Sequence, residues 1–199
     1  QPHEFDHIDT TILEVARNNI VTILKTVENQ STIENIVRDD LYSGLKSAEY
    51  LYGEGKKVID KYTTSAICLF KIVNLPEINT QISRKTGDVT ITEVSKFVKQ
   101  NLAQEYIFVR YMGPKFAIVF SGADKDGVFN FMSELKAKME SLDIMAQPDY
   151  IHSDEEDVIV SPKIRVVIST YYKGTSLDGA LKKLEEYIDS SNENTIKAI

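Results

Sequence analysis

From about residue 40 onward, strand-like and helix-like segments alternate along the chain, and this alternation constrains the fold more than any other feature. Thr63 to Val73 is rich in apolar and β-branched residues, which is typical of a central strand. Tyr106 to Tyr111 and Lys115 to Phe120 are two shorter strands separated by only three residues, which is hairpin spacing. Mixed strands and helices around one sheet predict an α/β sandwich with at least one antiparallel hairpin.

The other elements are predicted from periodicity and turn residues. We expect helices at Leu45 to about Lys61, Asp88 to Asn101, Asp126 to Leu142 and Ser176 to Ser190, and a further strand at Ile164 to Tyr172. The segment from about Asp143 to Asp157 is polar and acidic, and it predicts an exposed loop.

The N-terminal region has a different pattern. Apolar residues recur there at alternating steps of three and four, at Leu13, Ala16, Ile20, Ile23 and Val27. A stripe this narrow is typical of a two-helix seam. We therefore predict an amphipathic signalling or dimerisation helix over residues 1–38 and a globular domain over residues 39–199. The alternative is a helix that packs on its own domain.

Composition excludes several classes of function. With a net charge of −7, the chain is not expected to bind nucleic acid or anionic membranes. No run of about 18 apolar residues is present, so no membrane partner is expected in this fragment. The single cysteine, Cys68, lies in an apolar run and is predicted to be a small core residue, which fits the reducing cytoplasm. The chain begins with Gln1, so a longer and membrane-attached parent protein stays open.

The hairpin carries a recognisable motif. Arg110-Tyr111-Met112-Gly113-Pro114-Lys115-Phe116 resembles Arg-Tyr-Gly-Gly-Asp-Glu-Phe, the signature of the bacterial diguanylate cyclases, or GGDEF family, with four of seven letters retained. The chain also resembles the family at Asp40 to Leu45, at Ile78-Asn79, at Gly87-Asp88 and at Ile164 to Ser169. The resemblance covers about residues 40–199. It implies a nucleotidyl-cyclase-like palm, with a central mixed five-stranded sheet flanked by helices.

The same resemblance implies a degenerate active site. In the family, two carboxylates hold the magnesium ion, and here those positions are Lys71 and Pro114. A cation and a proline ring cannot replace the hard anionic oxygens that magnesium prefers. The reacting hydroxyl is assisted by a glutamate whose position is Lys115, and Met112 replaces a glycine that lets phosphates approach. No metal, no magnesium cofactor and no catalytic residue are therefore expected.

Nucleotide binding is a separate question. In the family, an asparagine and an aspartate read guanine, and the matching residues are Asn79 and Asp88. The alternative is that both are helix caps. Lys71 and Lys115 are expected to face one cleft, where they would meet phosphates without a metal, or to be solvated surface residues. The family's feedback site falls on Ala103 to Tyr106 and lacks its charged pair, so feedback binding of cyclic di-GMP is expected to be lost.

We thus predict a catalytically inactive regulatory module of bacterial, cytoplasmic signal transduction. It would act by protein interaction, as a homodimer through the N-terminal helix and with a regulatory protein partner. A metal-independent GTP sensor is the first alternative, and a residual diguanylate cyclase is the second.

Overall fold

The computed structural model describes residues 14–25, 43–147 and 158–199, and the chain divides into two units, residues 1–37 and 38–199. In the first unit, residues 14–25 are helical and their side chains are exposed. Leu13 and Val27, the two ends of the predicted seam, lie outside the described residues. None of the described helices is long and apolar enough to cross a membrane.

The second unit alternates strands and helices. In chain order these are β1 (Lys46–Ser47), α1, β2 (Thr64–Ile72), α2 (Leu75–Gln81), α3 (Arg84–Asn101), β3 (Ile107–Met112), β4 (Lys115–Ser121), α4 (Lys125–Glu140), β5 (Ile144–Met145), β6 (Ile159–Val160), β7 (Ile164–Tyr172), α5 (Leu177–Asp189) and β8 (Ile196–Ala198). The helix α1 is α-helical at Ala48–Tyr50 and Lys56–Ile59, with a π-helical turn at Leu51–Gly55 between them.

Six strands form the main sheet in the order β1-β3-β4-β2-β7-β8. The central strand β2 runs antiparallel to β4 and β7, whereas the β1–β3 and β7–β8 pairs are parallel. The predicted mixed α/β fold is therefore confirmed, with six strands where five were expected. The edge strands β1 and β8 have two and three residues, which is too short for a periodic signal in the sequence.

Both faces of β2 are buried, because helices cover the sheet on each side. Ala66, Cys68 and Phe70 pack in one core cluster with residues of α3 and α4. Ile67 and Leu69 pack in a second cluster with residues of α1 and α5. Cys68 is fully buried, and burial raises the pKa of its thiol, so its predicted role as a core residue is confirmed.

The interpretation of Asn79 and Asp88 as helix caps is wrong. The helix α3 begins at Arg84, and its N-cap is Ser83, whose hydroxyl accepts the backbone N–H of Thr86 at 3.0 Å. Asp88 therefore lies inside α3, and Asn79 lies inside α2 rather than at its end. Serine is a strong N-cap and starts the helix one turn before Gly87.

The predicted loop from Asp143 to Asp157 contains a strand at its start. Ile144–Met145 pairs antiparallel with β6, and the buried Ile144 side chain fixes this register. Gln147 is tied to the start of α3, because Ser83 donates to its carbonyl at 2.5 Å and its N–H donates to Thr86 Oγ1 at 2.9 Å. Residues 148–157 lie outside the described residues.

Candidate nucleotide-binding cleft

Three basic residues lie side by side on the adjacent inner strands β4, β2 and β7. Lys71 at the end of β2 is directly opposite Lys115 on β4 and Arg165 on β7. Residues directly opposite each other on neighbouring strands project from the same face. The backbone N–H of Ile72 also donates to the carbonyl of Pro114 at 3.0 Å, which holds the hairpin tip against the end of β2.

The helix α5 places two carboxylates over these basic residues. Lys115 Nζ lies 2.6 Å from Glu185 Oε1 and 2.6 Å from Asp189 Oδ2, and Lys71 Nζ lies 3.1 Å from Asp189 Oδ1. The lysine side chains are only 10% exposed at Lys115 and 14% exposed at Lys71. The alternative that both lysines are solvated surface residues is therefore wrong. We call these four residues the ion-pair cluster.

The ion-pair cluster perturbs the titration of its own members. Burial acts to lower the pKa of Lys115, but hydrogen bonds to Asp189 and Glu185 outweigh it and raise this pKa. Burial acts to raise the pKa of Asp189, but hydrogen bonds from Lys115 and Lys71 outweigh it and lower that pKa. Both shifts favour the charged forms of Lys115 and Asp189, which stabilises the ion pair between them.

Arg165 attaches the end of α5 to the sheet. It is 4% exposed, and its guanidinium donates to Thr195 Oγ1 at 2.9 Å, to the carbonyl of Glu193 at 3.2 Å and to the carbonyl of Tyr187 at 3.3 Å. A cation is favourable beside the C-terminal carbonyls of a helix. The three basic residues therefore hold α5 in two ways. Lys71 and Lys115 bind the carboxylates of α5, and Arg165 binds its backbone.

Sequence reasoning missed Arg165, Glu185 and Asp189. One local signal was available, because Glu185 and Asp189 are four residues apart and so lie on one face of a helix. Nothing local indicates which strand that face covers.

The other predicted pair, Asn79 and Asp88, lies where α2 meets α3. The Asn79 side chain lies directly against Gly87, and a Cβ at position 87 would overlap its side-chain oxygen. Asp88 is the next residue along the helix, and both polar side chains are exposed. Glycine at position 87 therefore lets Asn79 sit beside the helix that carries Asp88.

Comparison with known proteins identifies the family. The family model described as the diguanylate cyclase, GGDEF domain matches residues 40–194. The chain belongs to the GGDEF family. No curated protein matches it by sequence.

Solved GGDEF structures share its fold. The coiled coil and GGDEF domain of DgcB from Caulobacter crescentus, in complex with c-di-GMP, aligns over 95% of this chain and 100% of that one, with a TM-score of 0.76 and 16% identity. The diguanylate cyclase SiaD in complex with its activator SiaC, from Pseudomonas aeruginosa, aligns over 98% and 75%, with a TM-score of 0.69 and 13% identity. The FimX GGDEF domain from the same organism aligns over 81% and 98%, with a TM-score of 0.66 and 11% identity.

The signature hairpin of this GGDEF domain keeps its shape. Met112 lies in β3 and pairs with Lys115, so the connection is Gly113-Pro114 and is one residue shorter than predicted. Gly113 has a φ of +56°, which disfavours other residues. Phe116 is fully buried and stacks on Phe70 with centroids 4.9 Å apart. The Met112 side chain is 57% exposed at the tip.

Magnesium does not fit the residues of this cleft. Two ammonium groups, Lys71 and Lys115, and the ring of Pro114 stand where the resemblance places the family's acidic groups, and none of them offers an anionic oxygen. Within residues 14–25, 43–147 and 158–199, no group of three His, Cys, Asp or Glu side chains is arranged to hold a metal ion. The two carboxylates that do reach the cleft, Glu185 and Asp189, are already paired with the lysines.

Proposed function

We propose that this GGDEF domain is a catalytically inactive regulatory module of cyclic di-GMP signalling, which acts through protein interaction. The observation that carries the proposal is that Lys71 and Pro114 occupy the positions where the family holds its metal. Lys71 and Lys115 also form ion pairs with carboxylates of the domain itself. A magnesium–triphosphate complex would have to displace α5 carboxylates from these lysines and then bring a divalent cation next to them.

A protein-binding role is supported by the family's architecture. The structurally similar diguanylate cyclase SiaD was solved with its activator SiaC, a case in which a cyclase engages a second protein. The similar DgcB structure contains a coiled coil as well as its GGDEF domain. A module that keeps the fold without the chemistry would act through contacts of this kind.

We expect the N-terminal helix to pair in parallel with a second copy of the chain. Within the described helix, Ile20 is 57% exposed and Ile23 is 62% exposed, so both apolar side chains are available to a partner helix. Light scattering at micromolar concentration should show a dimer that weakens when Ile20→Asp puts a charge in the seam.

The control is Asn18→Asp, which adds the same charge about 200° around the helix from Ile20 and should leave the dimer intact. A monomer at every concentration, or equal weakening by both variants, would contradict this assembly.

A GTP sensor that needs no metal is the second candidate. It is supported by the approach of Asn79 to Gly87, which puts both predicted base-reading residues at the same helix junction. The phosphates would have to replace the carboxylates as ion-pair partners of Lys71 and Lys115. We therefore expect weak GTP binding, roughly in the micromolar-to-millimolar range.

Calorimetric titration of GTP with and without magnesium tests both candidates. Absence of binding supports the regulatory module, magnesium-independent binding supports the sensor, and turnover supports a cyclase. Any nucleotide bound in this cleft should be lost in Lys71→Ala and in Asp88→Ala. The matched control is Lys57→Ala, which removes a lysine whose side chain is 72% exposed and which pairs with Glu54. Binding that requires magnesium, or that survives both cleft substitutions, would place the nucleotide elsewhere.

A further inference from the structure

A cavity of about 290 Å³ lies away from the ion-pair cluster, between the end of α3, the start of β3 and the first turns of α4. Three aromatic side chains line it: Tyr106, Phe120 and Phe131. Phe120 is buried and forms the floor, whereas Phe131 is 36% exposed at the rim. This volume is at the small end of the range for ligand pockets.

The three rings are arranged as walls rather than as a stack. The centroids of Tyr106 and Phe120 are 5.0 Å apart with their planes inclined by 59°, and those of Phe120 and Phe131 are 5.8 Å apart with planes inclined by 74°. Tyr106 and Phe131 each pack at a steep angle against Phe120, so all three rings contribute to one aromatic lining. Aromatic faces carry negative potential, so a lining of this kind attracts a cation.

The charge of the cavity lining is also negative. Among the described residues that line it, Asp124 is the charged one, and its Oδ1 accepts the backbone N–H of Gly127 at 2.8 Å as the N-cap of α4. This hydrogen bond holds the carboxylate at the cavity, and a carboxylate can accept further hydrogen bonds besides this one. The neighbouring Lys125 extends elsewhere, with its Nζ 3.5 Å from the carbonyl of Ile199.

We propose that this cavity binds a small organic ammonium ion, with its charge against the ring faces and beside Asp124. The site does not depend on the ion-pair cluster or on the inactive state of the domain. It includes Ala103 and Tyr106, the positions at which the family resemblance places the feedback site's charged pair. Without the arginine of that pair, the lining favours a cation over an anionic dinucleotide.

The probe is choline chloride, followed by two-dimensional NMR of the full chain at constant ionic strength. We expect saturable shifts at Tyr106, Gly127 and Phe131, with millimolar affinity. The neutral isostere 3,3-dimethylbutan-1-ol has the same shape without the charge and should bind at least about twofold more weakly, because the cation–π attraction is lost.

Three variants locate the site. Asp124→Asn keeps the helix cap but removes the charge. Phe131→Leu removes one rim ring and keeps an apolar side chain. Each should weaken choline binding by about two- to fivefold. Asp126→Asn is the matched control, because it neutralises an exposed acid in the same helical turn that does not line the cavity, and it should change nothing.

Three outcomes would overturn the proposal. They are no saturable shift with choline up to tens of millimolar, equal binding by the neutral alcohol, and equal weakening by Asp124→Asn and Asp126→Asn. Equal binding by the alcohol would mean that the cavity is merely apolar.

Discussion

Purified protein supplied with GTP and magnesium will form no cyclic di-GMP above a no-enzyme control. The reaction needs a metal-held triphosphate, and the two positions that the family uses to hold the metal are Lys71 and Pro114. Lys115 replaces the glutamate at the reacting hydroxyl and is ion-paired with Glu185 and Asp189. Losing a single preorganised electrostatic contact typically costs about 10²–10³ in rate, and several are lost together here.

The assay is read by chromatography of the nucleotide products, with an active GGDEF protein as the positive control under the same conditions. Because a contaminating cyclase would also give product, any signal is retested in Lys71→Ala and Asp88→Ala. A product peak that exceeds the no-enzyme control and disappears in those variants would overturn the inactive assignment.

Neutralising both carboxylates of the ion-pair cluster, in Glu185→Gln/Asp189→Asn, should destabilise the domain by roughly 2–3 kcal/mol. The substitutions leave the Lys115 ammonium, whose side chain is 10% exposed, without a counter-charge. Stranding one member of a fully buried pair costs about 3–5 kcal/mol, and Asp189 is 42% exposed, so a smaller loss is expected here. Thermal unfolding should show a midpoint lower by about 5–10 °C.

Two controls separate this effect from a general loss of charge. Asp178→Asn removes an exposed carboxylate from the same helix, where it pairs with Lys182, and should change the unfolding free energy by no more than about 0.5 kcal/mol. Adding Lys115→Met to the double variant removes the stranded cation itself and should recover part of the lost stability, because an apolar side chain needs no counter-charge. A double variant as stable as Asp178→Asn would show that the ion-pair cluster contributes nothing to stability.

The directions of the two pKa shifts determine how the stability difference between the wild type and the double variant depends on pH. The folded pKa of Asp189 is lowered, so its contribution is complete above its unfolded pKa of about 3.9 and is lost as pH falls through the folded value. The folded pKa of Lys115 is raised, so its contribution is complete below about 10.4 and is lost as pH rises through the folded value. The difference in unfolding free energy between the wild type and the double variant should therefore be largest near neutral pH.

The sequence by itself determined the parts of this protein that depend on neighbouring residues. The apolar run of β2 predicts a central strand, and the short Met112-Gly113-Pro114 spacing predicts the hairpin. Ordered motifs from Asp40 to Ser169 at the family's spacing predict the fold. The substitutions at Lys71 and Pro114 likewise indicate a lost metal site without any coordinates, because a side chain's charge and donor atoms follow from its identity alone.

Only the tertiary structure decided what those substituted residues do. Lys115 and Asp189 are 74 residues apart in the sequence. They meet because β4 pairs with β2 in the sheet and α5 packs against these strands. The cavity lined by Tyr106, Phe120 and Phe131 likewise draws on three elements, and no local pattern links its rings. Local periodicity reports which face of an element is buried, whereas the element that covers that face is set by packing across the whole domain.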